Sequence, residues 1–200
     1  MQMKRVVVTG LGALTPIGNN VKEFWQGLIN GVSGAAPITH FDASHAKTQF
    51  ACEVKNFDGS QFFDRKEIRK YDRFSQLGIV AAEEAIKDTQ IDVENLDKDN
   101  SGVIWASGIG GIQSFEDEIT DFVKGDGSLR FSPFFIPKMI PDICAGHISI
   151  KYGLRGPNFA TVSACASSAH AIAEAFVQIK LGKATMMVCG GSEAAITYAV

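Results

Sequence analysis

The stretch Ala160-Thr-Val-Ser-Ala-Cys-Ala-Ser-Ser-Ala-His170 sets one thiol, Cys165, among small side chains, between an apolar run and a helical one. Phe159 to Ser163 reads as a strand, and Ala166 to Leu181 as an alanine-rich helix closed by Gly182. A strand handing over to a helix through a tight turn is the repeating unit of a layered α/β domain. The same turn places Cys165 as a nucleophile elbow would. Unpaired N–H groups and the positive end of the helix dipole favour thiolate over thiol. They also offer a donor for the oxyanion that forms when sulfur attacks a carbonyl. Ala164, Ala166, Ser167 and Ser168 keep the approach open. The competing reading of any free cysteine is a buried small hydrophobe. Cys144, inside a helical pattern, and Cys189, at the end of an apolar strand, fit that reading, and at Cys165 the residues alone leave both open. His170 lies about 140° around the helix from Cys165, so a base or cation for the thiol has to come from another segment.

Composition bounds what surrounds this turn. The 200 residues, 46% hydrophobic and 20% charged, suffice for one sizeable core. Twenty glycines suit a chain rich in tight strand-helix turns. A formal net charge of -3 gives no reason to expect nucleic acid or an anionic membrane as main partner. No apolar stretch reaches the roughly 18 residues of a membrane span. MQMKRVVVTG enters a strand-like run without a signal-peptide layout, so the sequence reads as cytoplasmic. Cys52, Cys144, Cys165 and Cys189 are irregularly spaced and form no CxxC pair, which favours neither a disulfide framework nor a zinc site.

Upstream, Arg5 to Gly10 reads as a strand feeding the loop Leu-Gly-Ala-Leu-Thr-Pro-Ile-Gly18. That loop lacks GxGxxG spacing and carries a proline where a helix should open, which argues against a nucleotide site. Asn20 can cap a helix over Val21 to Asn30, with Gly31 as its stop. His40 and His45, five apart in a loop-rich stretch, read as surface polar residues rather than metal ligands. Asp64 and Glu67 form a capping-box-like start to a helix whose apolar residues Ile68, Tyr71, Ile79, Ala82 and Ile86 share one face. Lys66, Arg69, Lys70 and Arg73 fall on the opposite face and read, from the residues alone, as a solvated stripe. Gly102 to Ala106 reads as a strand. The glycines of Ser107-Gly-Ile-Gly-Gly111 either cradle an anion or let backbone pass close to backbone. Phe131, Phe134 and Phe135, between Pro133 and Pro137 or beside them, suit a core or a pocket wall. Pro141 to Tyr152 reads as a helix on which His147 is packed and hydrogen-bonded, and Thr185 to Cys189 reads as a last strand.

Val6-Val-Val-Thr-Gly-Leu-Gly, Trp105-Ala-Ser-Gly-Ile-Gly-Gly, Ser132-Pro-Phe-Phe-Ile-Pro, Tyr152-Gly-Leu-Arg-Gly-Pro, Ser163-Ala-Cys-Ala-Ser-Ser and Cys189-Gly-Gly-Ser-Glu together resemble the β-ketoacyl-[acyl carrier protein] synthases. The resemblance runs over the whole chain in order and is strongest to the type II elongating enzymes of bacterial fatty-acid synthesis. It implies a thiolase fold, layered αβαβα, of which residues 1–200 are the N-terminal half, and a homodimer. It implies a condensing acyltransferase without cofactor or metal, whose partner is acyl carrier protein. Cys165 matches the nucleophile, with its N–H as one oxyanion donor. Ile109 matches the acyl-pocket gate and Phe135 a pocket wall. Lys66, Arg69 and Lys70, with Arg130 as a weaker match, correspond to the carrier-protein docking group, and an acidic partner gives the basic stripe a use. Ser168 stands where the family usually has glycine. The family's two histidines, its lysine and the second oxyanion donor belong to the C-terminal half, so the resemblance implies a longer protein. Two other readings compete: a non-catalytic chain-length subunit of polyketide systems, against which the retained cysteine argues, and a cysteine hydrolase, for which no His and carboxylate set is evident.

Overall fold

The computed structural model describes residues 3–200. In chain order the elements are helix α1 (Val21–Ile29), strands β1 (Ala36–Pro37) and β2 (Phe50–Ala51), helices α2 (Arg65–Ile68) and α3 (Arg73–Asp88), strand β3 (Ser101–Ala106), helices α4 (Ile112–Lys124), α5 (Phe135–Met139) and α6 (Ile143–Tyr152), strand β4 (Asn158–Phe159), helix α7 (Ser167–Lys180) and strand β5 (Met186–Gly191). β3 is the centre of a parallel three-stranded sheet ordered β4-β3-β5, with Val103 opposite both Asn158 and Val188. β1 and β2 form a separate antiparallel pair.

All six residues of β3 are buried, as a parallel strand covered on both faces requires. Alternation along the strand divides them. Val103 and Trp105 join Phe74, Ile79, Ala82, Cys144, Ile148 and Val188, beneath α3 and α6. Ile104 and Ala106 point the other way, onto Ala171 and Ala175 of α7. Each large apolar side chain buried this way contributes about 1.5–3 kcal/mol relative to exposure. The alanines of α7 let that helix sit close to β3 and β5, which fixes where its N-terminus emerges.

Local signals act where expected at several ends. The Asn20 side chain accepts from Glu23 N–H to cap α1, and Gly31 follows with φ 64°. The Asp64 and Glu67 capping box forms in full.

Three expectations change. The helix read from Asp64 through Ile86 is two helices, because Asp72 leaves helical geometry, caps α3 through Phe74 N–H and turns its other oxygen to α4. Arg5 to Gly10 forms no strand. A cleft of about 700 Å³ separates this segment from β5 and α7, so it meets no neighbouring ladder. The backbone is tied down on either side of it: Lys4 N–H donates to Lys180 O, and the N–H groups of Leu11 and Ala13 donate to the carboxylates of Asp88 and Glu84 on α3. The strand read over Phe159 to Ser163 is paired only at Asn158–Phe159, since the residues beyond bend into the turn that carries Cys165.

Candidate active site

After β4 the chain enters a 3-10 turn, Ala164–Ala166, that delivers Cys165 to the start of α7. Hydroxyls lace this turn together. Ser167 Oγ donates to Ala164 O at 2.7 Å and accepts from Ser163 N–H at 2.8 Å, while Thr161 Oγ1 donates to Ser167 O at 2.8 Å. Ala164 adopts φ 51°, a left-handed conformation that costs a residue with a Cβ about 1–2 kcal/mol. Such strain clusters at functional sites. The outcome is an exposed Cys165, whereas Cys144 is fully buried.

The N–H groups of Ala166 and Ser167 donate to Ser163 O and Ala164 O, but the N–H of Cys165 has no hydrogen-bond partner among the described residues. A free N–H beside the sulfur, ahead of a helix of 14 residues, is the arrangement an oxyanion donor requires. Burial pushes the thiols of Cys144 and Cys189 above their ordinary range, which marks both as packing groups.

Neither His147 nor His170 is hydrogen-bonded to the Cys165 sulfur. His170 Nδ1 lies 2.7 Å from Ser163 Oγ. The His147 ring packs on Tyr71 with centroids 4.4 Å apart. Burial, and then the charge of Lys70, hold its pKa below the usual histidine range. Its Nε2 is buried without a partner, so His147 is packed as expected but this nitrogen is not hydrogen-bonded. The described residues therefore do not assemble the set a cysteine hydrolase needs.

The glycine-rich loop Ser107–Gly111 lies against this elbow. A Cβ built on Gly108 would stand 3.7 Å from Ala164 Cα, which brings Ile109 beside the residue preceding Cys165. Ile109 is 44% exposed. α5 leans on the same loop, for Gly111 N–H donates to Met139 O at 3.0 Å. α5 starts with Phe135, half-buried and stacked near Phe115 and Phe131 at 6.1 and 5.6 Å. The loop thus connects the elements that carry Cys165, Ile109 and Phe135. Of the two roles open to its glycines, both apply: Glu193 places its carboxylate against the N–H groups of Gly108 and Ile109, while Gly108 meets the elbow backbone. The sequence reading gives Glu193 no role; its signal is an acidic residue two positions after a strand that ends in Gly190-Gly191. The large cleft beside β5 is lined by Cys189 and Glu193 but not by Cys165.

Lys66, Arg69 and Lys70 are all exposed on or just after α2. Arg73 leaves the stripe: its guanidinium donates to Val54 O and lies 5.5 Å from the Phe57 ring centroid. Arg130 is exposed in the connection between α4 and α5, on another part of the chain.

The family model for the beta-ketoacyl synthase N-terminal domain matches residues 3–200. A 3-oxoacyl-[acyl-carrier-protein] synthase 2 of Synechocystis sp. (strain ATCC 27184 / PCC 6803 / Kazusa) is 47% identical over 197 residues, 98% of this chain and 47% of that protein. The 3-oxoacyl-[acyl-carrier-protein] synthase 2 of Staphylococcus aureus (strain N315) matches with the same identity and coverage. The chain therefore spans about half the length of these relatives. Among solved structures, a type II PKS acyl-carrier protein in complex with its ketosynthase, AntDE:AntF, superposes with TM-score 0.84 at 30% identity, covering 98% of this chain and 52% of that one. The ishigamide ketosynthase/chain length factor gives TM-score 0.87 at 25% identity, covering 98% and 49%. These are ketosynthases of the thiolase fold, and the α/β layers here are its N-terminal half. The chain belongs to the β-ketoacyl synthase family, of which it carries the N-terminal domain.

Proposed function

We propose that the protein containing this chain is a condensing acyltransferase of fatty-acid elongation, a 3-oxoacyl-[acyl carrier protein] synthase II. The single observation that carries the reading is the exposed Cys165 on a strained turn at the start of α7, its own N–H free. Its thiolate attacks the carbonyl of an acyl thioester on acyl carrier protein. The bond to the carrier sulfur breaks, the carrier thiol leaves with a proton, and the acyl chain stays on Cys165. A malonyl-carrier thioester then loses CO2, and the electron pair left on its α-carbon attacks the Cys165 thioester. The thiolate is expelled and the product is a 3-oxoacyl-carrier thioester two carbons longer. In both steps the Cys165 N–H stabilises the negative oxygen.

Ile109 serves as the gate to the acyl site and Phe135 as part of its wall. Lys66, Arg69 and Lys70, with Arg130 as a more distant contributor, receive the acidic carrier protein. The residues that promote decarboxylation belong to the remainder of the longer protein, so this half alone is inactive. The protein is a homodimer, a reading supported by the exposed apolar side chains Phe115, Val123, Leu129 and Phe131 in and after α4. Four free cysteines suit a reducing compartment, and the reading places the enzyme in the cytoplasm. Among the described residues no helix is long and apolar enough to cross a membrane. The retained, exposed cysteine argues against a non-catalytic chain-length subunit.

Intact-mass spectrometry after exposure to a medium-chain acyl-carrier protein tests the reading. The full-length protein gains one acyl group, and Cys165→Ala gains none. Absence of an adduct on the full-length protein would favour the non-catalytic subunit.

A further inference from the structure

The loop Ser107–Gly111 joins β3 to α4, and glycines on both sides of Ile109 leave its backbone little intrinsic preference. One side chain holds it. Gly108 N–H donates to Glu193 Oε2 at 2.6 Å, Ile109 N–H reaches the same oxygen at 3.3 Å, and Ser107 Oγ donates to Glu193 Oε1 at 3.3 Å. Ser107 Oγ in turn accepts from Gly110 N–H at 2.9 Å. Three successive N–H groups thus converge, directly or through one hydroxyl, on a single carboxylate. This is a backbone nest whose anion comes from the same chain, and hydrogen bonds to an ionised acceptor are the stronger kind. Gly108 is the residue that lets the carboxylate approach, because a Cβ there would stand 2.8 Å from Oε2. The same built Cβ would stand 3.7 Å from Ala164 Cα, so what Glu193 fixes is the loop where it meets the elbow that carries Cys165.

We propose that Glu193 is a positioning residue for acyl-chain selection: its carboxylate latches the 107–110 loop and so sets the pose of Ile109 at the mouth of the acyl site. Glu193 acts through the loop backbone, not through the acyl chain. The inference rests on the reading of Ile109 as the gate. With the latch removed, the glycine-flanked loop samples several poses, and Ile109 no longer distinguishes chains by length.

The test uses the full-length protein with Glu193→Gln, which keeps one acceptor and the side-chain shape, and Glu193→Ala. Amide hydrogen exchange over residues 107–111 rises about tenfold in Glu193→Ala and by an intermediate amount in Glu193→Gln, the scale expected when a charge-assisted hydrogen bond is lost. Peptides from β3 and α7 keep their protection, which shows that the variants are folded. In steady-state kinetics with hexanoyl- and hexadecanoyl-carrier protein, the ratio of the two kcat/KM values moves at least about fivefold toward unity. Meanwhile kcat for the better substrate stays within about threefold, because a positioning role alters selection more than chemistry. Unchanged exchange over 107–111 overturns the latch whatever the activity. Faster exchange with an unaltered ratio, or equal losses on both substrates, overturns the link to Ile109. A wild-type protein that never acylates Cys165 would overturn the proposed function instead, and the exchange result would still decide whether Glu193 holds the loop.

Discussion

Asp72 Oδ2 accepts both the N–H and the O–H of Ser114, at 3.1 and 2.6 Å, while Oδ1 accepts Phe74 N–H at 3.1 Å. One carboxylate, 3% exposed, therefore fixes the start of α3 and the first turn of α4, the helix that follows the Ile109 loop. Asp72→Ala strands these donors in a buried place. Loss of the cap contributes about 1 kcal/mol and the unpaired donors about 1–3 kcal/mol more. Denaturant unfolding should show a loss of roughly 2–4 kcal/mol, with Asp72→Asn losing less because it retains an acceptor for the cap. A midpoint unchanged in Asp72→Ala would mean that water replaces the carboxylate without penalty.

Gly191 closes β5 directly beneath the elbow. A Cβ at this position would run into Ser168 Oγ, on the first turn of α7, and Ala106 O, on β3. Gly191→Ala should shift the start of α7 and lower the rate of Cys165 acylation by about tenfold or more, since small displacements of a nucleophile are penalised heavily. Adding Ser168→Gly removes the side-chain clash but not the backbone one, so the double variant should recover part of the rate. No recovery would assign the whole effect to β3.

His147 links stability to pH. Burial first, and Lys70 second, depress its pKa below the ordinary 6.5, and Nε2 is buried without a partner. The unfolded chain therefore takes up the proton at higher pH than the folded one. Stability from this residue is complete above about pH 6.5 and declines as pH falls toward the folded pKa. His147→Phe keeps a ring on Tyr71 and removes both the titration and the orphaned nitrogen. Thermal unfolding between pH 7.5 and 5.5 should fall less steeply in the variant than in the wild type, with equal or higher Tm at pH 7.5. Parallel curves would show that other groups carry the slope.

What the sequence discloses and what it hides divide by distance along the chain. Asn20, Gly31 and the Asp64–Glu67 box act within a few residues, so α1 and the start of α2 are legible. β3 is legible because burial on both faces demands an unbroken apolar run. Cys165 stands out because turn, small neighbours and helix start are contiguous. The break between α2 and α3 is hidden, since it depends on Ser114, 42 positions from Asp72. Arg5 to Gly10 has strand composition but no neighbour to pair with, and pairing is not a property of one segment. Glu193 is hidden for the same reason, its partners lying 84 to 86 positions away.

The basic group on α2 has a test that separates docking from chemistry. Lys66, Arg69 and Lys70 are exposed, and the carboxylate of Asp64 in their midst is held below its ordinary pKa by the N–H groups of Glu67 and Lys66, with the Lys66 and Lys70 charges adding to this. That carboxylate stays engaged in the helix cap, leaving the cations to face solvent. Exposed cations steer an acidic partner mainly through the encounter, and salt screens the effect over about 10 Å at 0.1 M. Reversing all three charges in the full-length protein should raise the KM for acyl-carrier protein about tenfold at low salt. The difference should shrink as salt is added, and turnover of an acyl-CoA, which lacks the acidic protein, should change less than about twofold. Arg130→Glu alone should have a smaller effect, since Arg130 stands on a different element. Equal losses with both acyl donors would mean that these residues support the fold of the site and do not receive the carrier.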